Sequence, residues 1–283
     1  MNDDGMTTIG LLHPGAMGSS IGAAAQASGA RVVWVSEGRS EATVARARAD
    51  GFEDVDWLNG LVNQSRIILS VCPPEFAVEL AEEVCALGYR GIYVDANAIA
   101  PATSRTIAEL VERNNGSYVD GGIIGGPARQ PDTTRLYLAG AQAQFAAQFL
   151  DKGNLEVNCI EGDAGAASAL KMAYAAWTKG TSALLADVIA LALAEGVHDS
   201  LVAEWERSQP ELVQRSERGL PGAAAKAWRF VGEMEEIAAT FEANGLPDGF
   251  HRAAAEVYRR LEQFKDDPNA PGGADLAKHL LPD

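Results

Sequence analysis

Residues 10–20 read GLLHPGAMGSS, with two glycines spaced Gly15-x-x-Gly18 where an apolar run meets an alanine-rich segment. That pattern suits a pyrophosphate. Gly15 lets the backbone approach the phosphates, and Gly18 lets a helix pack closely on the strand before it. A helix opening near Ala16 then turns its unpaired N–H groups and positive end toward the anion. The residues within reach are His13, Pro14, Gly15, Ala16, Met17 and Gly18. His13 stands where such loops usually carry their first glycine. Because it precedes proline, it is pushed toward an extended conformation. Pro14 fixes its own φ and has no N–H, so a stiff turn replaces a flexible one. Nothing in the sequence gives His13 a partner that would make it a base, so it fits the cofactor edge or solvent.

The second β-branched run ends Trp34-Val35-Ser36-Glu37-Gly38-Arg39-Ser40. A dinucleotide fold reads its ribose roughly 20 residues beyond the glycines, and that place falls on Ser36. Ser36, Arg39 and Ser40 can hold a 2′-phosphate through hydroxyl and guanidinium contacts. Glu37 suits ribose hydroxyls instead. The balance favours NADP(H), with NAD(H) as the alternative. Ser40 equally fits a helix N-cap, and Arg39 a solvated loop charge. Two later strand ends, Val71-Cys72-Pro73-Pro74 and Asp95-Ala96-Asn97-Ala98, belong on the nicotinamide side of the crevice. Ligands sit beyond the carboxyl ends of parallel strands. Cys72, Pro73 and the Asn97 amide are contact candidates there, although turn chemistry explains the same residues.

Positioning these loops takes alternating strands and helices. Strands are expected at 8–12, 31–35, 66–71, 91–94, 117–119, 135–139 and 156–160. Helices are expected at 16–28, 40–49, 75–87, 101–113 and 142–150. Such alternation gives βαβ units and a mostly parallel sheet. Residues 1–162 therefore read as a Rossmann-type, doubly wound α/β domain that binds dinucleotide. Residues 163–283 read as an all-α substrate and dimerisation domain, opened by a long helix at 163–195. Further helices fall at 200–208, 211–218, 223–243 and 249–264, punctuated by Pro and Gly. The composition of the last ~15 residues predicts loose order.

Bulk properties narrow the function. The chain has 283 residues, 47% hydrophobic, with 23 Lys plus Arg against 39 Asp plus Glu and a formal charge of -16. That balance argues against nucleic acid and anionic membrane surfaces, but one local cation can still dominate a small-molecule pocket. Cys72, Cys85 and Cys159 are odd in number, with no C-x-x-C pair. They read as reduced thiols of a cytoplasmic protein, not a disulfide framework or metal site. The polar opening, Met1-Asn2-Asp3-Asp4-Gly5, does not read as a secretory signal. The apolar run 181–194 is broken by Asp187 and reads as too short to span a bilayer.

Four segments, 9–18, 94–101, 120–126 and 162–171, occur in an order that resembles the β-hydroxyacid dehydrogenase superfamily. That superfamily includes 3-hydroxyisobutyrate and 6-phosphogluconate dehydrogenases and shares its architecture with imine reductases. The resemblance spans nearly the full chain. Residues 232–247, GEMEEIAATFEANGLP, resemble a poorly characterised bacterial branch of phosphogluconate-dehydrogenase-like oxidoreductases. The resemblance implies that Lys171 is the general acid/base. Hydride leaving an alcohol carbon requires a proton to leave its oxygen, and a partly desolvated lysine can have its pKa lowered toward working pH.

The small residues Gly165, Ala166, Ala167 and Ser168 allow close approach to that helix. The resemblance further implies substrate contacts at Gly121, Gly122 and Ile124. Tyr174 and Thr178 share a helical face with Lys171 and join them as candidates. A homodimer through the helical domain is also implied. The chain departs from the family in three places. Tyr174 and Ala175 stand where asparagine or His-Asn is common, Ile124 replaces a carboxylate-binding serine, and Glu233-Met234-Glu235 replaces a Lys-Asp pair. Tyr174 offers a replacement hydroxyl or simple helix packing, and Arg229 a charge. The expected function is NAD(P)-dependent hydride transfer at a hydroxyl/carbonyl carbon of a small polar metabolite. One alternative is an imine reductase, although Lys171 counts against it because that group commonly has Asp or Tyr there. Another is a non-catalytic NADP-binding protein. The short helical domain and the missing Lys-x-x-His-Asn separate the chain from true 6-phosphogluconate dehydrogenases.

Overall fold

The computed structural model describes residues 6–282, so the polar opening read above lies outside the described residues. The chain divides into two compact units, Met1–Lys171 and Met172–Asp283. The division falls inside the long helix, where the sequence suggested a boundary just before it.

In chain order the first unit holds β1 (Thr8–Leu11), α1 (Ala16–Ala27), β2 (Arg31–Trp34), α2 (Glu41–Ala49), β3 (Glu53–Asp54), α3 (Leu58–Gln64), β4 (Ile67–Ser70) and α4 (Ala77–Ala86). It continues with β5 (Ile92–Asp95), α5 (Pro101–Arg113), β6 (Ser117–Gly125), β7 (Thr134–Ala139), α6 (Ala143–Ala147), β8 (Leu155–Cys159) and the start of α7 (Ala166–Ala194). One eight-stranded sheet runs β3-β2-β1-β4-β5-β6-β7-β8. The first six strands are parallel, β7 is antiparallel to β6, and β8 is parallel to β7. The order reverses between β1 and β4, which opens a crevice at their carboxyl ends, the place where such sheets bind ligands. Both faces are covered. Ile9, Leu11, Ile67, Leu69 and Val94 pack into one core, and Val33, Ile68, Tyr93 and Tyr118 into the other. Strands buried on both faces need no polar alternation.

Three features differ from expectation. β3 and α3 carry no periodic signal: Glu53 and Asp54 are exposed, and β3 is held partly by the Arg31–Glu53 ion pair. β6 does not stop at Val119 but runs on through Gly121 and Gly122, because β7 pairs with it along Asp120–Gly125. The chain end is ordered where loose order was expected. Leu276, Ala277 and Leu280 are buried, and Arg260 donates to the Leu280 carbonyl at 2.8 Å.

The second unit contains the rest of α7, then α8 (His198–Ser208), α9 (Pro210–Arg218), α10 (Leu220–Ala224), α11 (Ala227–Ala243), α12 (Gly249–Arg260) and α13 (Gly273–Ala277). The single helix expected at 223–243 is two, separated at Ala225-Lys226. Lys179 of α7 pairs with Glu233 of α11 and lies 4.5 Å from the Phe230 ring centroid. Tyr258 of α12 stacks edge-on against Phe230 and donates to the Lys179 carbonyl at 2.7 Å. By length and composition α7 could cross a membrane, contrary to the estimate from the run 181–194. Its apolar window is 44% buried inside the molecule.

Candidate active site

Gly15 is the N-cap of α1, and no side chain caps that end. Its first N–H groups are therefore free for an anion. A Cβ at Gly15 would meet nothing within 4 Å, so the helix end faces open space. A Cβ at Gly18 would lie 2.0 Å from the His13 carbonyl oxygen. The two glycines thus do different work: Gly15 leaves room for a ligand, and Gly18 lets α1 press on the preceding loop. Met17 packs its side chain against the core, leaving only its backbone for the anion. Ala16 is exposed and Pro14 buried.

Two arginines from beyond β2 brace this loop. Arg39 Nη2 donates to the Leu12 carbonyl at 3.2 Å, and Arg46 Nη1 to the Pro14 carbonyl at 3.1 Å. Arg46 carries no signal in the sequence, since on α2 it reads as a surface charge and only the fold turns it toward the loop. Burial, followed by the neighbouring Arg39 charge, lowers the His13 pKa to about 4. His13 is therefore neutral near physiological pH. Among the described residues, its Nδ1 and the Arg39 Nε are buried without a hydrogen-bond partner. Orphaned polar atoms beside an open glycine fit a polar cofactor group.

Beyond β2, the Ser36 N–H donates to Asp54 Oδ1 at 3.2 Å, and Glu37 is exposed. Ser40 Oγ accepts from the Thr43 N–H at 3.3 Å, so this hydroxyl caps α2. A cleft of about 280 Å³ opens here, lined by Leu12, Leu61 and Leu80 with Arg39, Glu37 and Glu83. Apolar walls with a guanidinium and two carboxylates suit an adenine ribose.

At the ends of β4 and β5, Asn97 and Cys72 are joined to each other. Asn97 Oδ1 accepts from the Cys72 N–H at 2.6 Å, and its Nδ2 donates to Ser70 Oγ at 3.0 Å. The side chain is 2% exposed. It ties the two loops together and does not reach out toward a carboxamide. Burial, then the Asp95 charge, pushes the Cys72 thiol up to about 12, so it is no nucleophile. Pro73 is exposed and precedes a short 3₁₀ turn at Pro74–Phe76.

β6 meets α7 at close range. A Cβ at Gly121 would lie 2.7 Å from the Asp95 carbonyl oxygen. One at Gly122 would lie 2.6 Å from the Ala167 carbonyl oxygen and 3.2 Å from Lys171 Cβ. Both glycines are buried and explained by this approach. Lys171, half-buried, is thereby set against the carboxyl end of β6. Asp120 holds the same helix: it accepts from Ser168 Oγ at 2.6 Å, the Ser168 N–H at 2.9 Å and Ser104 Oγ at 2.9 Å. That clamp was not foreseen from the sequence. Ile124 is 4% exposed, an apolar side chain with nothing to offer a carboxylate. Tyr174 and Thr178 lie past the division, in the second unit. Tyr174 is exposed, and the Thr178 hydroxyl donates to the Tyr174 carbonyl at 3.2 Å. Among the described residues no group of three or more His, Cys, Asp or Glu could hold a metal ion.

Residues 7–151, just over half the chain, match the NAD binding domain of 6-phosphogluconate dehydrogenase. The chain belongs to the β-hydroxyacid dehydrogenase superfamily. Its cofactor class is a nicotinamide dinucleotide, and its fold is a Rossmann-like domain followed by a helical one. Residues 192–261 match a domain of unknown function (DUF1932), which places this superfamily member in an uncharacterised branch. A 28.5 kDa uncharacterised protein from Methanothermus fervidus is 26% identical over 80% of this chain and 88% of its own. A conserved protein of unknown function with structural similarity to 3-hydroxyacid dehydrogenases is 25% identical, TM-score 0.68, covering 91% of this chain and 97% of its own. The fold also matches Mycobacterium tuberculosis 3-hydroxyisobutyrate dehydrogenase, at TM-score 0.72 and 18% identity over 98% and 100% of the two chains. It matches an Aspergillus terreus reductive aminase bound to NADPH, at TM-score 0.57 and 17% identity over 97% and 98%.

Proposed function

We propose that the protein is an NADP(H)-preferring oxidoreductase that interconverts a hydroxyl and a carbonyl on a small polar metabolite. Lys171 is its general acid/base. The observation that carries this reading is the placement of Lys171 against Gly122 at the carboxyl end of β6, in the same sheet whose first loop fits a pyrophosphate. When bound, the nicotinamide supplies or takes the hydride. In reduction, Lys171 Nζ gives a proton to the carbonyl oxygen; in oxidation it takes the alcohol proton. The buried Ile124 offers no polar contact to a substrate carboxylate, which favours a substrate held through its other polar groups. A second reading, imine reduction, draws support from the reductive-aminase likeness. The deciding experiment is a turnover screen of hydroxyacids, aldehydes and cyclic imines with both cofactors. Consumption of a hydroxyl/carbonyl pair supports the first reading, and consumption of imines alone supports the second.

The NADP preference rests on Arg39, which lines the β2 cleft. Arg39→Gln should weaken NADPH binding by about tenfold, the scale of a lost charge-assisted contact, and NADH much less. Fluorescence titration of both cofactors checks this, and equal losses would assign Arg39 to the loop alone. We also propose a homodimer through α7. Trp177, Leu184 and Leu191 recur every seven residues and are 71, 46 and 62% exposed, an apolar stripe suited to a second copy. Leu184→Glu with Leu191→Glu should shift sedimentation from dimer to monomer. The three free cysteines fit a reducing, cytoplasmic setting.

A further inference from the structure

We infer that Asp120 is a positioning residue for the reaction: its carboxylate clamps the first turns of α7 and so sets where Lys171 stands. The inference rests on the reading of Lys171 as acid/base and goes beyond it. Asp120 and Gly122 point to one face of β6, two residues apart. Asp120 binds Ser168, and Gly122 touches Ala167 and Lys171. Ser168 and Lys171 are three apart, on one side of α7. The strand therefore grips the helix at two successive points, one by hydrogen bonds and one by close approach.

Asp120 gathers three donors, the Ser168 N–H and the Ser168 and Ser104 hydroxyls. Yet Asp95 lies directly beside it in the β5–β6 register, and each is 1% exposed. A carboxylate beside another in a buried site is disfavoured in its charged form. The donors distinguish the two. Asp95 Oδ1 takes one N–H, from Asn97 at 3.0 Å, and among the described residues its Oδ2 is buried with no hydrogen-bond partner. The other titratable groups nearby stay neutral: Cys72 at the β4 end, Tyr93 on β5 and Tyr118 on β6, whose hydroxyl meets Ser104 Oγ at 2.9 Å. Burial first, and then Asp120, raises the Asp95 pKa to about 7. Burial thus disfavours the charged form of Asp95, while the donors from α7 gather on Asp120.

The test compares Asp120→Asn, Asp95→Asn and Ser168→Ala in the full chain, with Lys171→Ala alongside. In Asp120→Asn an amide N–H₂ faces the Ser168 N–H or a hydroxyl donor, so the helix shifts. A misplacement of ~1 Å can cost about 100-fold in rate; a fall in kcat of about 10- to 100-fold is expected, with NADPH affinity kept. Amide hydrogen exchange at Ser168–Lys171 should quicken. Asp95→Asn leaves the three Asp120 contacts in place and should keep kcat within about twofold, a change too small to signal a lost transition-state contact. Ser168→Ala, which retains the backbone donor, should fall between. Equal losses in Asp120→Asn and Asp95→Asn would overturn the inference, as would unchanged kcat in Asp120→Asn while Lys171→Ala is inactive. If Lys171→Ala turns over normally, the acid/base reading fails by itself, and the exchange rates alone decide the clamp.

Discussion

Lys171→Ala is expected to lower kcat by ~10²-fold or more, the usual scale of a lost acid/base, with NADPH affinity unchanged. The separation follows from where the parts sit. The cofactor loop, 12–18, is braced by Arg39 and Arg46, and neither bond passes through α7. Lys171 stands on α7, with its Cβ close to Gly122 of β6. Removing its side chain leaves the Asp120–Ser168 clamp and the Gly122 approach in place, so the helix keeps its seat. Steady-state kinetics and cofactor titration on one preparation check both halves. Wild-type kcat in the variant would take Lys171 out of the chemistry.

Gly18→Ala should abolish measurable cofactor binding. The added methyl would lie 2.0 Å from the His13 carbonyl oxygen, a backbone atom that cannot rotate away. Either α1 moves off β1 or the loop unseats from Arg39 and Arg46, and both spoil the helix end. The strain also costs stability, about 1–3 kcal/mol for overpacking of this kind. Gly15→Ala is the matched control: its methyl meets open space in the protein, so folding survives while cofactor affinity falls. Thermal melts with and without NADPH distinguish the two. A Gly18→Ala protein with normal melting and normal NADPH stabilisation would contradict the packing role.

The glycine turn between β1 and α1 was legible in the sequence because its signals are local. Gly15 and Gly18 mark a turn whose geometry depends on a few neighbouring residues, and the strand ends follow from period and punctuation. Pro101 marked the start of α5 and Ser40 the cap of α2, both by short-range chemistry. What stayed hidden depends on long-range placement. Arg46 reaches Pro14 across the fold, Asn97 is consumed by Cys72 and Ser70, and Asp120 meets Ser168 from 48 residues away. Gly121 and Gly122 resembled a substrate loop, and the structure extends β6 through them because β7 supplies a pairing partner. The ordered chain end escaped because Leu276 and Leu280 are too sparse to form a pattern, yet both are buried.

Hydride transfer at a carbon bearing oxygen is tested most directly by deuterium placed on the reduced nicotinamide carbon. Wild-type protein is incubated with the labelled NADPH and a carbonyl substrate that passes the screen, and the alcohol is analysed by mass spectrometry. Deuterium on the carbinol carbon, formed by the wild type and lost at least ~10²-fold in Lys171→Ala, is the expected result. No deuterium in the alcohol from cofactor labelled on either face of that carbon, or transfer equally efficient without the Lys171 side chain, would contradict it.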